Sequence, residues 1–254
     1  MSDYIESTPW LVSFAKKVTY KYRLFCFPHA GGGAQVFAKW QNYVPSNVEV
    51  IGVSLPGREA HFNKMVNGDW SVLLRGLLEN ITPALDRPFF FFGHSLGARI
   101  CYELAHQLYS RDEPRPKKIF VSSCCAPRIE SLIEPIHKLS LDELIVCLRE
   151  MGGVPKEVLK NRHIMKMFEP MLKADFKLAE TWQGCRRKID SPIIAMSGEQ
   201  DNISPFHAMV PWGDFSSESF FNHQFPGGHF FLHNYPEQVL AFVKKQLCSA
   251  SNKT

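Results

Sequence analysis

The sequence has no apolar run long enough to cross a bilayer. Its most continuous stretch, Phe89 to Phe92, falls far short of the roughly 20 residues a spanning helix needs. A secretory signal is missing too: Met1 to Phe14 carries Asp3 and Glu6 and lacks a basic start followed by an apolar core. Charge of one sign does not dominate, with 29 Lys and Arg against 25 Asp and Glu, so nothing suggests a nucleic-acid footprint. The seven cysteines, at 26, 101, 124, 125, 147, 185 and 248, are odd in number and include no C-x-x-C pair. Neither a disulfide framework nor a zinc knuckle fits such spacing. Reduced thiols are expected, most of them packed in apolar runs such as Leu24–Phe27 rather than acting as nucleophiles. Internal repeats and low-complexity tracts are also lacking. These absences predict a cytoplasmic protein with no membrane or nucleic-acid partner.

What is present is 254 residues with 45% apolar content, enough for one α/β domain with a substantial core. Short runs rich in aromatic and β-branched residues predict strands at Tyr22–Phe27, Val48–Ser54, Phe89–Phe92, Lys118–Ser123, Pro192–Ser197 and Phe220–Phe225. None alternates with polar residues, the pattern of strands buried on both faces. Helical spacing lies between them at Trp70–Leu85, Leu96–Leu108 and Pro236–Leu247. The alternation predicts a mostly parallel sheet flanked by helices. It breaks between Cys125 and Asp190, where helical patterns follow one another at Leu139–Met151, Lys156–Leu159 and Met165–Trp182. We read this as an insertion of about 128–188 in a single domain spanning 1–254, punctuated by Gly152, Gly153 and Pro155 and placed to form a helical lid. A helical layer that merely pads the sheet has the same spacing.

The chemistry is concentrated in Gly93-His94-Ser95-Leu96-Gly97, between an apolar run and a helical pattern. A serine on a strand-turn-helix elbow stands clear of the backbone, and small flanking residues let strand and helix approach. This context predicts the α/β-hydrolase fold with Ser95 as nucleophile. A serine hydroxyl needs a base, and in this fold the partners follow in the order Ser, Asp or Glu, His. His229, in the Gly-rich Pro226-Gly227-Gly228-His229 loop after a strand, is the expected base, whereas His94, His223 and His233 read as structural. A zinc site on His229 and His233 would lack a carboxylate nearby. The acid should follow Ile193–Met196, in Ser197-Gly198-Glu199-Gln200-Asp201-Asn202. Asp201 is the choice and Glu199 the alternative, while Asp190 precedes the strand. The oxyanion calls for backbone N–H donors. Leu96 supplies one, and the loop Phe27-Pro28-His29-Ala30-Gly31-Gly32-Gly33 the other, at Ala30 or at its neighbour His29. That loop has no Gly-Lys-Ser/Thr, and Val36 stands where G-x-G-x-x-G needs its last glycine, so it does not match a nucleotide cradle.

With these pieces in order, the chain resembles the type II thioesterases, stand-alone enzymes that accompany fatty-acid, polyketide and nonribosomal-peptide synthases. The resemblance rests on Phe27 to Gly33, Leu55-Pro56-Gly57-Arg58-Glu59, Phe92 to Gly97, Gly152-Gly153-Val154-Pro155, Lys173-Ala174-Asp175-Phe176 and Pro226-Gly227-Gly228-His229-Phe230. Lys173 stands where that family often has arginine, and His29 occupies a variable position. The resemblance implies Ser95, Asp201 and His229 as triad, Ala30 and Leu96 as oxyanion donors, and a mobile lid. It implies hydrolysis of acyl thioesters on the phosphopantetheine arm of an acyl or peptidyl carrier protein, by a monomer with no cofactor or metal. A small-molecule carboxylesterase or lipase would share the triad, and a binding protein could keep the fold without catalysis. Arg58 reads as a structural ion-pair partner, and Arg186-Arg187-Lys188 as a solvated face that could meet an acidic carrier domain.

Overall fold

The computed structural model describes residues 6–16, 19–64, 67–127, 135–185 and 187–251. Residues 128–134 of the predicted insertion, Arg186 of the basic run, and Asp3 of the amino-terminal segment lie outside the described residues. The strands are β1 Leu11–Ser13, β2 Tyr22–Phe27, β3 Val48–Val53, β4 Phe89–His94, β5 Ile119–Ser122, β6 Ile193–Gly198 and β7 Phe220–Phe225. They form one seven-stranded sheet in the order β1-β3-β2-β4-β5-β6-β7. All neighbours are parallel except β1, which runs antiparallel to β3 with Leu11 opposite Val53. The six predicted strands are therefore present, within a residue or two of their expected ends. Two findings depart from expectation. The three-residue β1 is too short to show a period. Strand β7 is not buried on both faces: it forms the sheet edge, Phe221 is exposed, and of its residues only Phe225 is buried.

The helices are α1 Trp70–Ile81, α2 Leu96–Ser110, α3 Leu141–Met151, α4 Lys156–Lys160, α5 Arg162–Thr181, α6 Phe206–Met209, α7 Phe231–Asn234 and α8 Pro236–Ser251. Local chemistry sets several boundaries. Asp69 caps α1 by accepting from the Ser71 and Val72 N–H groups. Pro83 follows Ile81 in a tighter turn over Thr82–Ala84, so α1 stops short of the predicted Leu85 because proline cannot donate to the helical ladder. Ser140 and Glu143 form a reciprocal capping box on α3, and the Asn161 side chain accepts from Ile164 N–H to start α5.

The core divides at the sheet. Phe25, Phe27, Phe89 and Phe91 pack with α1 and α2 on one face. On the other, Phe90, Phe92 and Phe120 pack with Phe37, Trp40 and the apolar side of α8. The insertion has a third cluster of its own, built from Leu144, Leu148, Leu159, Met165, Leu172 and Phe176. Its last helix is rooted in the main domain, because Leu178 belongs to the α1–α2 core. Among the described residues, no helix is long and apolar enough to cross a membrane.

Strand β4 and helix α2 meet with almost no clearance. A Cβ on Gly97 would lie 2.1 Å from the Phe27 carbonyl oxygen, and one on Gly93 would lie 2.2 Å from the Gly97 oxygen. Both obstacles are main chain and cannot swing aside. Gly97→Ala is therefore expected to cost about 3 kcal/mol through forced backbone shifts, read as a lowered denaturation midpoint. A midpoint within error of the parent would show that the elbow tolerates a wider crossing.

Candidate active site

Ser95 occupies the turn between β4 and α2 at φ +55° and ψ −113°. This is a left-handed conformation that a residue with a Cβ adopts only when its surroundings force it. Here Ser95 N–H donates to Ser122 O at 2.8 Å and Ser95 O accepts from Ala98 N–H at 3.1 Å. The strand ends and the helix begins within one residue, leaving the serine half-exposed at the carboxyl edge of the sheet.

Asp201 and His229 arrive on the loops after β6 and β7. The ring Nδ1 lies 3.2 Å from Asp201 Oδ1 and 3.1 Å from Oδ2, and both residues are buried. Asp201 Oδ1 also accepts from the N–H groups of Ile203 and Ser204, each at 2.9 Å. Burial pushes the Asp201 carboxyl up, but the His229 hydrogen bond and charge and the Ser204 N–H outweigh it, so its pKa lies below the ordinary aspartate value. The carboxylate stays ionised where it can orient the ring and favour an imidazolium. Glu199 is exposed, and among the described residues its side chain makes no hydrogen bond to His229. Asp190 pairs with Arg115 at 2.8 Å on the surface. No hydrogen bond joins Ser95 Oγ to the His229 ring among the described residues, a contact that often tightens only when substrate is bound.

Of the histidines in or near the Ser95 and His229 motifs, one lies apart and the others gather at the site. His223 stacks on Phe242 with ring centroids 4.6 Å apart, away from the serine. His29, His94, His229 and His233 surround Phe230, whose ring is 5.0 to 5.9 Å from each. His94 Nδ1 meets Ser122 Oγ at 3.0 Å, while its buried Nε2 has no hydrogen-bond partner among the described residues. Burial drives the His94 pKa well down and lowers that of His29 to about 4. Gly153 of the insertion presses on the same Phe230, since a Cβ there would lie 2.3 Å from its ring. Cys124 is no competing nucleophile: burial raises its thiol to about 12.

Ala30 N–H makes no hydrogen bond among the described residues, and Leu96, as the first residue of α2, has no preceding turn for its N–H to reach. Around Ala30 the loop is held from outside. Asp175 Oδ2 accepts Gly31 N–H at 2.8 Å. Arg58 donates through Nη1 to Gly32 O at 2.8 Å and through Nη2 to Asp175 Oδ1 at 2.7 Å. Glu59 accepts from Ala34 and Gln35 N–H, both at 3.1 Å. Arg58 is thus an ion-pair partner, with Asp175 on the far side of the pair. Sequence reading assigned no role to Asp175 or Glu59, although both stood in motifs that carried the resemblance. A cavity of about 390 Å³ lies between α1, Leu55–Pro56 and α5, but none of Ser95, Asp201 and His229 lines it.

A mostly parallel sheet with a strained serine at the end of a central strand, followed by an acid and a histidine on later loops, defines an α/β-hydrolase. The thioesterase-domain family model matches residues 22–247. The chain belongs to this family, whose members hydrolyse thioesters. It is 36% identical to a Brevibacillus parabrevis protein named linear gramicidin dehydrogenase LgrE, over 97% of this chain and 95% of the relative. It is 33% identical to the gramicidin S biosynthesis protein GrsT of Aneurinibacillus migulanus, over 94% of this chain and 93% of that one. The type II thioesterase BorB from the borrelidin biosynthetic cluster superposes with a TM-score of 0.87 at 26% identity, covering 96% of this chain and 100% of BorB.

The buried histidines set a pH dependence. Below about pH 6.5 an unfolded histidine takes up a proton, whereas His29 in the native protein resists protonation until about pH 4. The unfolded state binds more protons in that window, so stability is full above it and falls as pH drops through it. The denaturation midpoint is expected to fall between pH 7 and pH 5, with a shallower fall in His29→Gln. A midpoint flat over this range would mean that the rings are protonated in the native protein.

Proposed function

We propose that Ser95, His229 and Asp201 form a catalytic triad, with Ala30 and Leu96 N–H as the oxyanion donors, in a thioesterase acting on acyl or peptidyl chains carried on the phosphopantetheine arm of a carrier protein. Ser95 Oγ attacks the thioester carbonyl carbon as its proton passes to His229 Nε2, and the carbonyl oxygen becomes an oxyanion facing the two N–H groups. The C–S bond breaks, the His229 proton goes to the departing sulfur, and an acyl ester remains on Ser95. Water then attacks that ester as His229 takes its proton, and the proton returns to Ser95 Oγ as the acid departs. Asp201 holds the Nδ1 proton throughout and stabilises the imidazolium.

The observation that carries this reading is the His229–Asp201 pair at 3.1 Å beside a serine held at φ +55° in a chain of the thioesterase family. The carrier-bound substrate is supported by the names of GrsT and BorB, which tie those proteins to biosynthetic pathways. The insertion, with its separate core and its contacts at Phe230 and Gly31, is suited to lie over the acyl chain as a lid.

Ser95→Ala is expected to lose about 10⁵- to 10⁶-fold in turnover and to escape labelling by a serine-directed phosphonate. Asp201→Asn should lose about 10³- to 10⁴-fold while Glu199→Gln stays near the parent. A crippled Glu199 variant would exchange the roles of the two acids. With acyl chains of matched length, kcat/KM should fall from carrier-bound thioester to acyl-CoA to oxygen ester. Equal turnover of the oxygen ester, with no gain from the carrier, would replace this reading with a small-molecule esterase.

The lid is tested separately by hydrogen exchange. Amides of α3 and α4 should exchange faster than those of β4, and slow when a non-hydrolysable acyl-pantetheine analogue binds. Slow exchange in all three elements, unchanged by the analogue, would make the insertion a fixed layer.

A further inference from the structure

Asp175 lies on α5, in the insertion rather than on the sheet, and its side chain is almost fully buried at 1% exposure. It is divided between two tasks that meet on one loop. Oδ2 takes the Gly31 N–H at 2.8 Å, and Oδ1 takes Arg58 Nη2 at 2.7 Å. Arg58, 4% exposed, continues to Gly32 O at 2.8 Å and is itself held by Pro56 O at 3.1 Å from Nη2 and 3.3 Å from Nε. The peptide that follows Ala30 is therefore tied at both ends, since His29 Nδ1 also meets Ala30 O at 2.9 Å. Gly31, Gly32, Ala34 and Gln35 all have their N–H groups engaged. Ala30 N–H is left without a hydrogen-bond partner among the described residues, beside the elbow.

A backbone donor stabilises an oxyanion only if it already points to where charge will develop, because the gain comes from having no reorganisation at the moment of reaction. A glycine-rich loop does not hold such an orientation by itself. We propose that Asp175, acting with Arg58, is a positioning residue for the oxyanion hole: it fixes the Ala30–Gly31 peptide so that Ala30 N–H stays aimed at the reacting carbonyl. The proposal rests on Ala30 being an oxyanion donor in the reaction set out above. It gives the Leu55–Glu59 and Lys173–Phe176 motifs one shared task, with Glu59 securing the downstream end of the loop.

A buried ion pair can also serve the fold alone, so the test must read the oxyanion itself. A peptidyl or acyl trifluoromethyl ketone adds to a serine nucleophile to give a hemiketal, whose ionisation can be followed by fluorine NMR and reports how well the hole stabilises the negative oxygen. Asp175→Asn keeps the side-chain size and removes the charge. Its kcat on an acyl thioester is expected to fall about 10- to 100-fold, less than the loss of a whole donor. KM should remain within about twofold, and the hemiketal should ionise at a pH about one unit higher. Glu49→Gln, which breaks the buried pair with Arg23 at the opposite end of the sheet, is the comparison: it should lower stability and leave the hemiketal unchanged. If Asp175→Asn does not fold, Arg58→Lys carries the same expectations, because a lysine cannot bridge Gly32 O and Asp175 together. A folded variant with parental kcat and parental hemiketal ionisation overturns the positioning role and leaves the pair structural. No hemiketal on the parent protein, or one that persists in Ser95→Ala, would instead overturn the underlying assignment of the serine.

Discussion

Main chain packs directly against main chain where α2 leaves the sheet, and the active end of the molecule is built on that contact. With glycine at 93 and 97 the Phe27 and Gly97 carbonyls can approach to distances that any Cβ would block. The chain must then reverse within a single residue, and Ser95 takes up the strain at φ +55°. The cost is met by the surroundings: β5 accepts the Ser95 N–H, and the phenylalanines of β4 lock the strand from both faces. A looser crossing would remove the strain, and with it the exposed hydroxyl.

The loops around this elbow follow a second rule, that polar groups near the serine are either paired or kept neutral. Asp201 retains its charge because hydrogen bonds and His229 offset burial. His29 and His94, equally buried but without a carboxylate, are held neutral. Phe230 packs against these rings, and His94 also meets His29 and His229 directly, at centroid distances of 5.9 and 5.3 Å. The result is a site in which one carboxylate faces one imidazole, with little charge nearby to compete for it.

Much of this was legible in the linear sequence, for reasons that differ by element. Strands buried on both faces announce themselves as aromatic and β-branched runs, so β2 to β6 were read nearly to their ends. Strand β1 carries too few residues to show a period, and Phe220–Phe225 is apolar enough to pass for a central strand although it lies at the edge. The serine and histidine could be found because their local motifs dictate a turn. Loop position alone favours Asp201 over Glu199, and what the sequence does not carry is the backbone geometry that leaves Glu199 exposed and puts Asp201 under two N–H groups. Asp175 carried no readable role, because its bond to Gly31 joins residues 144 positions apart. A motif shows that a residue matters, whereas only the fold shows what it touches.

The run Phe89–Phe92 makes β4 a wall common to two interiors, with Phe89 and Phe91 serving one core and Phe90 and Phe92 the other. Neither interior can be remodelled without pushing on the strand that carries the serine, so both are poor places for sequence drift. The insertion is different, because Leu144, Leu148, Leu159 and Met165 form a cluster whose buried residues belong to neither, although it touches the α1–α2 core through Ala30. Variation at those four positions leaves β4 untouched, whereas Asp175 and Gly153 of the same insertion reach Gly31 and Phe230. The architecture is modular only in part: the inner cluster of the insertion can drift without moving β4, while the residues that hold the glycine loop and Phe230 are bound to the rest of the fold.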